Sequence, residues 1–429
     1  MVHSNPLVAL PLAVLLALVT VPIARNMAAR ERDPRLFRLL MVAVVTHLVF
    51  SSVQLWVVDH IYHGVTDYTR YINQGARLAK RYDSFNFSTA GINPPVKILG
   101  QGSVSIAAGV VMAIIGVNKL GLFYVFSWLS FLATLGFYRA FCVTFPEGSH
   151  RRYALMVFFL PSLLFWTAGI SKETMMYLSM GMGAYGAARI LAHQRGGAVL
   201  LVIGTVVGVY VRPQELLLFL SAFAVAGLFR RRGAGKSLRG LRRIAVMGLQ
   251  AALLLAAVSL SQQLAKHAPV FNLTQLARNN VGQASSVNYH PGPAGYPRDI
   301  YTVLFDPLPF NAHGTAQRVA AFENLVIIVL ILASLRRLRR VPRAAFVRPY
   351  VLLCVMYSTA FPYAFAALNN LGLIDRERVL LMPFFLVPLA IPVSPRGSPP
   401  AYPWEYSEGK RKRQSRQTRW GAAPAGARR

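Results

Sequence analysis

Acidic residues are scarce in this chain: 15 Asp and Glu stand against 46 Lys and Arg in 429 residues, and charged residues of both signs make up only 14%. A soluble domain carries roughly 25%, so an ordinary soluble fold is excluded. Cysteine is nearly absent as well. Cys142 and Cys354 both fall inside apolar runs without metal-ligand spacing, which excludes a disulfide scaffold and leaves them as small core residues. No nucleotide-binding glycine loop, metal-ligand cluster or Ser/His/Asp spacing is evident. These absences disfavour a nucleotide-sugar enzyme of the cytoplasmic face, and the sequence calls for no metal and no cofactor.

What is present is apolar sequence. Hydrophobic residues make up 55% of the chain, the mean hydropathy is +0.43, and apolar runs recur from Leu7 to Val393. An all-α polytopic membrane domain over residues 1–393 follows. The net charge of +31 first suggests nucleic acid. Its placement argues against nucleic acid, because the Lys and Arg sit in short clusters between apolar runs, as in loops facing anionic cytoplasmic lipid. The first run, Leu7–Ala24, has no basic segment before it and Arg25 directly after it. A cleaved signal peptide has the reverse order, so a retained span is expected.

Four basic clusters set the topology: Arg25–Arg38, Arg230–Arg243, Arg336–Arg343 and the tail holding Lys410–Arg413. With all four in the cytoplasm, two long loops, about 58–102 and 266–318, lie outside. Spans are predicted at 7–24, 37–57, 121–143, 153–170, 175–193, 198–211, 214–229, 244–265, 319–335, 348–368 and 379–393, about eleven in all. Residues 103–117 fit this scheme only as a half-helix dipping from the outer face, since a full crossing there would invert every later basic loop. The N-terminus is then outside and the C-terminus inside the plasma (inner) membrane. Residues 394–429, rich in Pro, Gly and Arg, are expected to be a disordered basic cytoplasmic tail.

Ionisable residues within spans, or at their outer ends, are costly and tend to mark function. Asp67, in Val65–Tyr71, precedes an amphipathic pattern and reads as a catalytic base or as the cap of a helix lying on the outer surface. In Ser171-Lys172-Glu173, Ser171 suits an N-cap and Glu173 the helix dipole, whereas Lys172 opposes that dipole. An anion held at the helix start would explain Lys172; a local ion pair with Glu173 is the alternative. Arg212-Pro213 separates two short apolar runs, the first reaching ~21 Å against a hydrocarbon core of ~30 Å. A broken helix there, with Arg212 and Glu215, suggests a lined cavity; snorkelling by Arg212 is the alternative. Glu323 sits four residues into an apolar run and is expected to find its partner on another helix rather than at Arg318. Asp375-Arg376-Glu377-Arg378 places two arginines outside, either to grip phosphate or to be neutralised by their acidic neighbours.

Asp67-Tyr68 with Tyr71, Asn93–Lys97, Phe165-Trp166 with Ser171–Glu173, Val211–Pro213, and Asn370–Gly372 with Arg376–Arg378 together resemble bacterial membrane proteins of cell-envelope polysaccharide loci. Those proteins are related to GT-C class glycosyltransferases. The resemblance implies a polyprenyl-phosphate-linked sugar donor, a glycan or lipid acceptor, and an acid of the first outer loop as base, a role that falls on Asp67. One departure matters: the GT-C acid usually follows the first span, and Asp67 follows the second. An O-antigen-type polymerase or ligase, relying on outer-face arginines, is the alternative within the same class. A lipid-linked sugar transporter or flippase is the alternative from another, although it should carry inverted repeats that are not evident here. The expected site is Asp67 as catalytic base, with Lys172, Glu173, Arg212, Glu323, Arg376 and Arg378 binding substrate.

Overall fold

The computed structural model describes residues 4–61, 63, 66–146, 148–229, 248, 294–365, 368 and 370–392. The expected basic cluster at 230–243, the span at 244–265, the first part of the second long loop and the tail lie outside the described residues. Among those described, every regular element is helical. In chain order the helices are α1 (Pro6–Glu31), α2 (Pro34–His60), α3 (Asp67–Tyr82), α4 (Gln101–Ile115), α5 (Lys119–Thr144), α6 (Arg151–Phe159), α7 (Pro161–Trp166), α8 (Lys172–Leu191) and α9 (Gly197–Val211). They continue with α10 (Pro213–Leu228), α11 (Tyr296–Phe305), α12 (Gly314–Leu332), α13 (Leu335–Leu338), α14 (Val341–Val347), α15 (Pro349–Phe365), α16 (Leu371–Arg378) and α17 (Met382–Ala390). Three of them, α1, α2 and α5, are long and apolar enough to cross a membrane; α4, α9, α10 and α15 are shorter apolar helices.

Close backbone approach holds the bundle together. A Cβ on Gly136 of α5 would lie 2.5 Å from the Gly181 carbonyl oxygen of α8, and one on Gly204 of α9 would lie 2.6 Å from the Ser179 carbonyl oxygen of α8. Small residues let helices meet where lipid supplies no hydrophobic drive. The Ser179 hydroxyl donates to the Gly204 carbonyl at 2.7 Å across the second of these contacts.

Side-chain contacts distinguish two ends of the bundle. At the first, Asn118 before α5 donates to the Asn5 carbonyl before α1 at 2.8 Å, and Lys119 pairs with Asp59 near the end of α2. At the second, Arg139 of α5 pairs with Glu31 at 2.7 Å, Arg152 donates to Ser334 at 2.7 Å, and Arg337 donates to the Ile391 carbonyl at 2.6 Å. Helix α4 returns to the end it left. The Gly100 amide before it donates to the Tyr210 carbonyl beside Arg212 at 2.7 Å, and the turn after it holds Asn118 and Lys119.

Helix α3 also departs from the surface position expected of it. Its apolar face, with Tyr71, Leu78 and Tyr82, is buried and packs on α4, where a Cβ on Gly75 would lie 2.7 Å from Ala108 Cβ. The helix therefore rests on protein. Gln74 secures the pair, accepting from Ser105 at 2.7 Å and donating to the Pro94 carbonyl at 3.0 Å.

Single cysteines placed at the exposed residues Lys97 and Val117, which flank α4, should react with an impermeant thiol reagent from the same side of sealed cells. Labelling from opposite sides would mean that α4 crosses.

Candidate functional site

Three local rules bring charged residues to the first end. Residues before proline avoid the α conformation, and Arg212, at φ −152° and ψ 84°, separates α9 from α10 with Pro213 as the first residue of α10. Helix starts favour acids, because free N–H groups and the dipole point there; Glu173 and Glu215 occupy the first turns of α8 and α10. Capping fixes the registers. Ser171 accepts from the Thr174 amide at 3.1 Å, and Asn370 accepts from the Leu373 amide at 3.2 Å to begin α16.

The result is a network centred on Arg212, which is 8% exposed. Its guanidinium donates to Glu215 at 2.6 Å, to Glu173 at 2.5 Å, and to Glu377 of α16. The second oxygen of Glu173 accepts from Arg376 at 2.7 Å, so one buried carboxylate bridges two arginines. Arg376 also faces Asp67 at 3.9 Å, where the Asp67 side chain is 40% exposed. Burial alone would lower the Arg376 pKa, but the Glu173 charge holds it well above the usual arginine value, so it stays cationic. Burial, and then the Arg212 charge, lower the Lys172 pKa from its usual value against the pull of Glu173, Glu377 and Asp67, and Lys172 forms no ion pair among the described residues. The local Lys172–Glu173 pair does not form, because Glu173 turns to the arginines. Lys172 is thus an unpaired cation beside the network.

Asp67 is not a cap. It is the first residue of α3, after an N-cap Thr66 that makes no side-chain capping bond, which leaves its carboxylate half-exposed at the rim of the network.

Two expected site residues fall elsewhere. Arg378, 1% exposed, donates to Asn324 at 2.6 Å and to the Leu304 carbonyl at 3.2 Å, with Asp375 at 3.4 Å and Glu323 at 3.8 Å. Glu323 accepts from the Ser162 amide at 2.6 Å. That amide is left free by the Pro161 break between α6 and α7, since the first N–H groups of a helix have no partner within it. The costly acid in an apolar run therefore satisfies a broken helix, and its partners come from α7 and α16 rather than from Arg318. Arg376 and Arg378 diverge from one helix turn to different partners, so they do not form a joint clamp. Burial pushes the Asp375 carboxyl, on the short helix between two apolar segments, up to about 6, with Arg378 pulling it back.

Glu215, read with Arg212 as lining a broken-helix cavity, and Glu377 both belong to the network, although neither is among the expected substrate-binding residues. Glu215 carried a signal, an acid two residues after the Pro213 helix start. Glu377 carried none, because which way each of four consecutive charges points depends on the rotation of α16.

A third cluster lies at the second end, where Glu31, Cys142 and His150 approach within ligand range of one another. His150 Nδ1 meets Glu31 at 3.0 Å and Nε2 meets the Phe145 carbonyl at 2.7 Å. Both ring nitrogens face acceptors, so both carry protons. Burial alone would lower the His150 pKa, but its bonds to Cys142 and Glu31 raise it to about 10. As arranged, the ring is a cation joining α1 to the α5–α6 turn, and neither nitrogen is free to ligate. Cys142 and Cys354 are both buried and unpaired to each other, as core residues.

No family model matches the chain, and no curated protein or solved structure is similar to it.

Replacing Arg212 with Met strands three buried carboxylates. Loss of one partner of a buried ion pair costs about 3–5 kcal/mol, and thermal unfolding in detergent should show that loss, with partial recovery when Glu215→Gln is added. An Arg212→Met protein as stable as wild type would show that the network does not hold the helices together.

Proposed function

We propose that the chain is a transferase of the plasma membrane that moves a sugar from a polyprenyl-phosphate-linked donor to a glycan or lipid acceptor, with the first end of the bundle on the extracytoplasmic face. The observation that carries this reading is the meeting of Asp67, Lys172 and Arg376. They come from three distant segments and stand together beside a rigid network. Lys172, unpaired, and Arg376, held by Glu173, suit the donor phosphate; cations placed where charge develops stabilise a departing anion. Asp67, half-exposed and acceptor-only when ionised, suits the proton of an acceptor hydroxyl.

In that chemistry the acceptor oxygen bonds to the anomeric carbon as the bond from that carbon to the phosphate oxygen breaks. The polyprenyl phosphate leaves with the bonding electrons, and Asp67 takes the hydroxyl proton. Attack opposite the leaving group inverts the anomeric centre. Arg212 binds no phosphate in the resting arrangement, because three carboxylates occupy its guanidinium; its role is to set the positions of Glu173 and α16. The eleven-span topology with a cytoplasmic C-terminus is part of the same reading, supported by the basic clusters and by both ends of α4 meeting the first end of the bundle. An O-antigen-type polymerase would use the same donor chemistry at the same residues.

A lipid-linked sugar transporter is the second reading. It is favoured by one feature, the excess of acid over base: Glu173, Glu215, Glu377 and Asp67 face Arg212, Arg376 and Lys172, and Glu215 keeps one buried oxygen without a hydrogen-bond partner. Coupling ions occupy such places in broken-helix carriers.

Transfer from a radiolabelled polyprenyl-phosphate sugar in proteoliposomes separates these readings. Asp67→Asn should lower turnover by about 10²–10⁴-fold, the usual contribution of a positioned base, while donor binding persists. Full turnover in Asp67→Asn would remove the base; sugar movement across the bilayer without any transfer would favour the transporter.

A further inference from the structure

The outer side of α3 carries a charge pattern that the site does not use. At 100° per residue, Arg70, Arg77, Lys80 and Arg81 fall within an arc of roughly 100°, opposite the buried Tyr71, Gly75 and Leu78 that pack on α4. Arg70, Arg77 and Lys80 are exposed. None of the four cations forms an ion pair among the described residues. Three are held in place by neutral acceptors: Arg70 by Gln101 at 2.9 Å, Arg77 by the Asn93 carbonyl, and Arg81 by the Ser88 and Ala90 carbonyls at 3.1 and 2.5 Å. Neutral acceptors orient a guanidinium without cancelling its charge. The Lys80 side chain makes no hydrogen bond among the described residues. The row spans ~17 Å along the helix axis and starts three residues from Asp67.

We propose that this stripe binds the acceptor, and that the acceptor is a polyanionic glycan carrying phosphate or carboxylate groups at intervals. The inference rests on the transferase reading for the word acceptor, though not for the binding itself. Charge complementarity supports a polyanion: a preorganised row of uncompensated cations concentrates and aligns an anionic chain, and its start beside Asp67 delivers the chain end to the base. Anionic lipid headgroups are the competing occupant. A helix that lies on a bilayer turns its apolar face into the lipid, whereas the apolar face of α3 is already covered by α4, and the cations point the opposite way.

The test uses the full chain in phosphatidylcholine nanodiscs, without donor, titrated with fluorescent poly(glycerol phosphate) and with neutral dextran of equal length. Wild type should bind the polyanion and not dextran, and binding should weaken steeply as salt rises from about 0.1 to about 0.5 M. Arg77→Gln/Lys80→Gln should weaken it about 20-fold, and Lys80→Gln alone, which removes no hydrogen bond, about fivefold. Arg336→Gln/Arg340→Gln, the same charge change beyond α12, should leave it unchanged. Undiminished binding by Lys80→Gln and by the double variant, or equal binding of dextran, overturns the proposal. So does loss, in discs with about one-third phosphatidylglycerol, of the difference in binding between wild type and the double variant, which would assign the stripe to lipid headgroups, since repulsion by the anionic disc weakens both proteins alike. Polyanion binding with no sugar transfer would leave the stripe in place and count against the transferase reading alone.

Discussion

Arg212 is the constraint on which the first end of the bundle depends. Its guanidinium is almost wholly buried and faces carboxylates from three helices, Glu173 of α8, Glu215 of α10 and Glu377 of α16. A buried charge persists only when its partners satisfy it, because desolvation costs several kcal/mol per ion and geometry must offset it. The planar fork of arginine can serve three acceptors at once, as the single ammonium of lysine cannot with the same orientation. The Pro213 break places the fork where α9 ends and α10 begins. From there, Glu173 passes the constraint to Arg376, and Arg376 faces Asp67. Four helices are thus registered against one another through a chain of ion pairs.

Helix α16 is the second element of that design. Successive residues in a helix point about 100° apart, so Asp375, Arg376, Glu377 and Arg378 sweep nearly the full circumference. Arg376 and Glu377 reach the Arg212 network, while Arg378 and Asp375 belong to the buried group around Asn324 and Glu323. That second group also closes the Pro161 break through the Ser162 amide. The turn that carries the proposed phosphate cation is held from both sides, which suits a group that must not move when charge develops nearby. Among the described residues, the far end of the bundle carries no ion-pair network joining four helices. Its contacts, Arg139 and His150 on Glu31 and Arg337 on a carbonyl, join helix ends in pairs.

Much of this was legible in the sequence because it follows from local rules. Ser171 and the Arg212-Pro213 break mark helix starts, and α8 and α10 begin there, whereas the single span expected at 153–170 is broken at Pro161 into α6 and α7, and the residues between the last two expected spans form α16. Apolar runs locate α2 and α5 to within three residues, although α1 continues to Glu31, seven residues past its expected end, and the amphipathic pattern after Asp67 locates α3. That residues 103–117 do not cross follows from charge placement and belongs to the proposed topology. Partners could not be read in the same way. That Glu173 would leave Lys172 for Arg212, that Arg376 and Arg378 would part, and that α3 would rest on α4 all depend on packing between segments far apart in the chain. The helix expected to lay its apolar face on the membrane surface packs that face on protein because Gly75 and Gly109 permit close approach, a property visible only once the two helices are known to be neighbours.

The proposed chemistry depends on Lys172 and Arg376 receiving a lipid-linked phosphate. Its most direct measurement is the dissociation constant of a short-chain fluorescent polyprenyl phosphate for the protein in zwitterionic nanodiscs, taken for wild type, Lys172→Gln and Arg376→Gln. A charge-assisted hydrogen bond contributes about 1.5–3 kcal/mol, so each substitution should weaken binding by about 10- to 100-fold, with the uncharged polyprenol bound poorly by all three. Equal affinity of the three proteins for the phosphate would contradict the claim.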